Sequence, residues 1–219
     1  MNPPDVLEDL DSLADLLDRL GGIAPSRIRL KPAPGLATEG DLVLNNNRKR
    51  SGLVELVEGT LVEKVMGFGE SGVEADLIRF LGRYLDQHDI ADLLSSSSTM
   101  RLDRGVVRLP DLALIRWERY PHRQRPLEAV PEICPDLAVE ILSEGNTPEE
   151  MARKRREYFA AGTTLVWEID PRRREVGVYR SPEQCMTLGE GDVLTAEPLL
   201  PGFSLPLTDL FRRVPVLPL

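Results

Sequence analysis

Residues 135 to 170 constrain the fold more than any other stretch of this chain. PDLAVEILS is an apolar run of strand length, and Thr147-Pro148-Glu149-Glu150 then supplies an N-cap, a proline at the first helical position and a capping-box acid at the third. The helix so opened, over 148–161, ends at Gly162, and TTLVWEID follows as a second strand. Strand 136–142, helix 148–161 and strand 164–169 make a βαβ unit. Its two strands must be parallel and its crossover right-handed.

At 219 residues, with 42% apolar and 29% charged residues, the chain can bury a large core without staples and is too apolar to be mostly disordered. Cys134 and Cys185 form no CxxC motif and no metal-ligand spacing, which points to a reducing cytoplasm. The start, MNPPDVLEDLDSL, is acidic and lacks the basic and apolar segments of a signal peptide. No apolar run approaches the ~20 residues that cross a bilayer, so no membrane partner is expected. The net charge of −9 argues against a general nucleic-acid-coating protein, yet it leaves room for a basic surface around a cation-filled site.

Val6, Leu10, Leu13, Leu17 and Leu20 recur at helical spacing and predict an amphipathic helix over 5–20. Gly21-Gly22 end it, and its stripe either covers core or makes a homodimer contact. Residues 25–47, rich in Pro, Gly and Asn, predict a wrapping segment with little regular structure. SGLVELVEGTLVEKVMG predicts a hairpin turning at Glu58-Gly59. A helix over 69–87 carries Val73, Leu77, Leu81 and Tyr84 on one stripe, and that stripe extended backwards reaches Glu70. Short strands over 99–102 and 106–109 precede PDLALIRW, whose apolar run 112–115 suits an interior strand. EVGVYR pairs back on TTLVWEID, and the tail holds small strands, turns and a last helical turn at LTDLF.

Within this pattern Glu140 is out of place. An unpaired carboxylate in a buried strand costs several kcal/mol, so Glu140 must pair, bind a metal or face a cleft. Asp111 opens its strand and Glu140 nearly closes its own; if the two strands are antiparallel neighbours, the carboxylates meet and can share a cation. Two carboxylates, with water and phosphate oxygens completing the shell, are what Mg²⁺ usually takes from a protein. The alternative is an ion pair with an arginine such as Arg101 or Arg108. Lys154 lies three residues after Met151 and four before Tyr158, on the inward stripe of its helix, whereas Arg153 and Arg156 face outward. An inward lysine needs an anion, and the carboxylate pair or a bound phosphate would supply one.

VELVEGTLVEK, ESGVEADLIRFL, VRLPDLALI, PDLAVEILSEGNT, KRREYFAAG, LVWEIDP with VGVYR, and LPGFSLPLTDLF occur in this order between about Leu20 and Phe211. In these motifs the chain resembles the Uma-two family of putative restriction endonucleases, within the PD-(D/E)XK nuclease superfamily. The resemblance implies an α/β (α+β) restriction-endonuclease-like core, a central mixed β-sheet flanked by helices, with an N-terminal helical extension. Residues 1–50 would form the N-terminal helix and wrapping segment and residues 51–219 the nuclease-like domain. It further implies metal-dependent phosphodiester hydrolysis, with Mg²⁺ or Mn²⁺ on Asp111 and Glu140, Glu70 as the acid from the first core helix, and Glu63 as its competitor. A strict E-X-K would place lysine at 142, where this chain has Leu142; the resemblance suggests that Lys154 takes the lysine role. The rival function is a non-catalytic nucleic-acid-binding or interaction protein that keeps the fold.

The segment RWERYPHRQR interleaves Arg116, Arg119, Arg123 and Arg125 with Trp117 and Tyr120, a composition that can pair phosphates and stack on bases of a DNA substrate. Its plainer use is a solvated connector. His88 and His122 are isolated, no Ser/His/Asp or Cys/His set is present, and no Gly-rich phosphate loop suggests an organic cofactor.

Overall fold

Apolar runs separated by turn residues fold into three sheets in the computed structural model, which describes residues 12–48, 52–65 and 67–216. The strands are β1 (Val54–Val57), β2 (Thr60–Glu63), β3 (Ala91–Ser95), β4 (Met100–Asp103), β5 (Val106–Arg108), β6 (Leu112–Arg116), β7 (Leu137–Ile141), β8 (Leu165–Asp170), β9 (Glu175–Tyr179), β10 (Cys185–Gly189), β11 (Val193–Ala196) and β12 (Leu200–Pro206). The helices are α1 (Leu13–Arg19), α2 (Glu39–Asn46), α3 (Phe68–Leu85), α4 (Pro148–Ala161) and α5 (Leu207–Leu210). The central sheet has the order β10-β9-β8-β7-β6-β3; a second sheet has the order β2-β1-β5-β4, and β11 pairs with β12. The protein is thus a mixed α+β fold around a central mixed sheet.

The βαβ expectation holds: β7 and β8 are parallel, in register Leu137↔Leu165 through Ile141↔Ile169, and α4 joins them. All other pairings of the central sheet are antiparallel. Thr147 caps α4 by accepting from Glu150 N at 3.0 Å, and Gly162 ends it at φ +102°, a left-handed position natural to glycine. The capping box is only half formed, because the Glu150 carboxylate turns away to Arg27 at 2.7 and 2.8 Å. That buried pair holds residues 25–27 against α4.

Alternation along the strands gives the sheet two dry faces. Leu137, Val139 and Ile141 of β7 pack with Leu165, Trp167 and Ile169 of β8 and with Val73, Leu77 and Leu81 of α3. Leaving water stabilises each such side chain by roughly 1.5–3 kcal/mol, which fixes the register: a one-residue slip would turn this set to the other side. Ala138 and Val166 face the opposite side, where Tyr158 of α4 covers them. Glu140 alternates with Val139 and therefore lies on the α4 side.

Three local expectations are corrected. The stretch 25–47 contains α2, opened by a full capping box in which Thr38 and Asp41 exchange side-chain and backbone hydrogen bonds; the Pro, Gly and Asn content masked this signal. β3, an edge strand paired with β6, was not anticipated, since ADLLS is short and only half buried. The first helix is α1, and the part of the predicted span over 5–11 lies outside the described residues. Of the predicted stripe Leu20 is buried with Ile23, Ile28, Val57 and Val62, Leu17 only partly and Leu13 is exposed; Leu16, outside the stripe, is buried in its place. No helix among the described residues is long and apolar enough to cross a membrane.

Candidate active site

The register Leu112↔Val139 between β6 and β7, continued by one residue, sets Asp111 opposite Glu140 on the α4 side of the sheet. Both carboxylates are buried, at 3% and 4% exposure. Asp111 N donates to Val139 O at 2.9 Å, and Ile141 N donates to Asp111 Oδ2 at 2.6 Å, so two backbone groups of β7 hold the aspartate. The other oxygen, Oδ1, lies 2.8 Å from Lys64 Nζ, a charge contact outside hydrogen-bond alignment, and it has no hydrogen bond of its own.

Glu140 accepts from Lys154 Nζ at 2.9 Å and from Tyr158 Oη at 2.7 Å, two side chains one turn apart on α4. The inward stripe expected for Lys154 is therefore formed. Its ammonium also lies 3.5 Å from Glu55 Oε1. Arg101 and Arg108 pair instead with Glu39 and with Glu55 and Glu157, so neither arginine neutralises Asp111 or Glu140.

Glu55, 1% exposed on β1, is the third acid of the cluster and was missed in the sequence. It accepts from Leu109 N at 3.0 Å and from Arg108 Nη1 at 2.8 Å. The signal was available: within VELV a charged residue is flanked on both sides by apolar ones, the same anomaly that singled out Glu140. Lys64 was missed as well. In the β1–β2 register Glu55 stands opposite Val62, and alternation puts Lys64 on the Val62 side, with its Nζ donating to Leu109 O.

Electrostatics separate the two glutamates. Burial alone would raise the Glu55 pKa, but Lys154, Arg108 and Lys64, with the Leu109 N–H bond, outweigh it and hold the carboxyl at about 2. Glu140 is pushed up, first by burial and then by the charges of Asp111 and Glu55, against the opposing charge of Lys154. Lys154 is itself raised: burial disfavours its charge, and Glu140, Glu55 and Glu150 more than offset that. One side of the cluster thus carries a firmly ionised acid and the other an acid whose ionisation needs more positive charge nearby.

Other expected site residues lie elsewhere. Glu70 sits in the first turn of α3, its side chain makes no hydrogen bond or ion pair among the described residues, and its carboxylate folds back over Gly67. α3 packs on the face of the sheet opposite Asp111, and the helix dipole accounts for an acid in its first turn. Glu63 lies opposite Val54, on the face of β2 turned away from Glu55 and Lys64, and pairs with Arg29 at 3.1 Å. Arg153 is only partly exposed and is tied down by bonds to Glu58, Glu157 and the Arg19 carbonyl, whereas Arg156 is exposed as expected.

The basic segment is also displaced from the cluster. Arg116 ends the strand that Asp111 opens, five residues or roughly 16 Å away along β6. Arg116 and Arg119 pair with Asp136, which is fully buried, at 3.2 and 2.9 Å. Trp117 donates to Asp89 at 2.7 Å, and Arg123 lies 3.3 Å from the same carboxylate. Composition showed the cations of this stretch but not their acidic partners, which come from residues 89 and 136.

Leu142, two residues after Glu140 on the same face, lines a cleft with Asn146, Thr147, Arg155 and Glu168 at the carboxyl end of β7. The position of the usual lysine is thus apolar, and the positive charge beside Glu140 arrives from α4. Among the described residues no group of three or more His, Cys, Asp or Glu side chains is arranged to hold a metal by itself.

Comparison with known proteins bears on the family and the fold. A family model described as "Putative restriction endonuclease", that of the Uma-two family, matches residues 42–208. The crystal structure of a putative nuclease belonging to DUF820 from Anabaena variabilis superposes with a TM-score of 0.64 at 22% identity, over 73% of this chain and 90% of that one. No curated protein matches the chain. The structural likeness concerns the fold.

Proposed function

The chain belongs to the Uma-two family of putative restriction endonucleases, and from that premise we propose that it is a divalent-metal-dependent nuclease hydrolysing phosphodiester bonds in DNA. The observation that carries this reading is Lys154 held between Glu140 at 2.9 Å and Glu55 at 3.5 Å, beside Asp111. Three acids and two lysines gathered on one side of a strand pair are far more charge than a core needs for stability, and perturbed groups concentrate at functional sites.

The residues fit Mg²⁺ or Mn²⁺. Asp111 Oδ1 is buried without a hydrogen bond, and Glu140 resists ionisation under the charge of its neighbours. Asp111 and Glu140 would hold the ion, with water and phosphate oxygens completing its shell. When bound, it would polarise the scissile phosphate and lower the pKa of the attacking water. The chain's own groups do the rest. Ile141 N fixes the Asp111 carboxylate, Tyr158 Oη orients Glu140, and Lys154 keeps a fixed positive charge where negative charge develops on the phosphate. Glu55, ionised throughout the physiological range, holds Lys154 in its charged form.

The charges of the cluster compensate one another and are buried, which favours a second reading in which the fold binds nucleic acid without cutting it. Incubating the protein with supercoiled DNA separates the two. Nicking or linearisation with Mg²⁺ or Mn²⁺, lost on chelation and in Asp111→Asn, supports the nuclease. Retention of DNA without cleavage under all metals supports the binding protein.

A further inference from the structure

Lys64 is the charge in the cluster that the proposed chemistry does not use. It follows β2 directly, its side chain is 6% exposed, and its Nζ lies 2.8 Å from the Asp111 oxygen that has no hydrogen bond. Its other partner is a neutral carbonyl, that of Leu109. Its charge also acts on Glu55 and on Glu140, so it stands among all three acids. Lys154 differs: it donates a hydrogen bond to Glu140, lies close to Glu55, and is locked between the two.

We propose that Lys64 is a built-in counter-cation that occupies the metal-facing side of Asp111, so that a divalent ion must displace it to bind. The inference rests on the metal-site reading above and adds the residue that sets the affinity of that site. The contact to Asp111 is an ion pair outside hydrogen-bond alignment, whereas the Leu109 carbonyl accepts a hydrogen bond from the same ammonium and retains it when the Asp111 oxygen takes a metal. A compact ammonium on a flexible four-carbon stem can withdraw in this way, which a guanidinium forked onto a carboxylate cannot. While it stays close, it repels the incoming dication, and like charges a few ångströms apart in a buried site interact strongly. In the metal-free chain the same lysine keeps Asp111 compensated and the cluster folded.

The test is Mn²⁺ binding by titration calorimetry, without substrate, on the full chain and its variants. Lys64→Met is expected to bind Mn²⁺ roughly tenfold tighter or more than wild type, to unfold at a lower temperature without metal, and to be stabilised more by Mn²⁺. Lys64→Gln keeps a donor for Leu109 O and should also bind more tightly, which covers a failure of Lys64→Met to fold. Asp111→Asn should lose binding. Equal or weaker binding by both Lys64 variants, with Asp111→Asn still defective, overturns the role of Lys64 and leaves the metal site intact. Undiminished binding by Asp111→Asn, or none by wild type and Lys64 variants alike, overturns both.

Discussion

Lys154 Nζ lies 2.9 Å from Glu140 Oε2, so the helix that follows β7 returns a positive charge to the strand it has just left. With Leu142 in the place where the family motif would carry a lysine, this contact is what gives Glu140 a lysine partner. Breaking a buried pair by removing one partner typically costs about 3–5 kcal/mol. Lys154→Met should lose stability of that order at neutral pH in urea unfolding. The loss should shrink at lower pH, where Glu140 takes a proton. A pH-independent loss would mean that Lys154 supports the fold through packing alone.

The two glutamates on Lys154 should titrate apart. Glu55 is held at about 2, below its ordinary 4.5, so its contribution to stability is present above 4.5 and lost as pH falls towards 2. Glu140 is shifted the other way: the folded state binds its proton more tightly, and stability falls as pH rises from 4.5 through its raised value. Side-chain carboxyl NMR should show Glu140 taking up a proton at higher pH than Glu55. A common midpoint near 4.5 for both would contradict the assigned environments.

Arg27 grips Glu150 through two nitrogens at 2.8 and 2.7 Å, with both side chains buried. Arg27→Met leaves a buried carboxylate unpaired and should cost about 3–5 kcal/mol, lowering the melting temperature on the order of 10 °C for a chain of this size. Glu150→Gln added to Arg27→Met should recover part of the loss. Additive losses would show that the two residues act separately.

Gly21 and Gly22 both have positive φ, +90° and +67°, yet only Gly21 is crowded: a Cβ there would sit 2.6 Å from Glu150 N. Gly22→Ala should cost about 1–2 kcal/mol, the penalty of a left-handed alanine. Gly21→Ala should cost clearly more, because the start of α4 must move aside. Equal melting temperatures for the two variants would argue against close packing of this turn on α4.

How far the sequence discloses this site depends on how each charge is framed. Glu140 stands out because it breaks a five-residue apolar strand, Asp111 because it opens the neighbouring one, and Lys154 because α4 is long enough for its stripe to be counted. Glu55 breaks a strand of only four residues next to a turn rich in acids, and Glu58, Glu63 and Glu70 compete with it for attention. Only pairing decides among them: the β1–β2 register sends Glu63 to the other face, and α3 lies across the sheet from Asp111. Lys64 sits at a strand end, where alternation is weakest as a guide. The basic stretch 116–125 misleads for a related reason, since Asp89, Asp92 and Asp136, which neutralise it, are distant in sequence from most of it. The βαβ unit was legible because its caps, lengths and periods all agree.

Single-turnover cleavage of a labelled DNA duplex with Mg²⁺ or Mn²⁺ tests most directly whether hydrolysis is centred on Glu55, Asp111, Glu140 and Lys154. Variants are compared at a temperature where each is folded. Glu55→Gln and Lys154→Met should slow the metal-dependent rate on the order of 10²–10³-fold, the range for removing one electrostatic contribution to a transition state, while Glu70→Gln stays close to wild type. A fast Lys154→Met, or an inactive Glu70→Gln beside an active Glu55→Gln, would contradict the account.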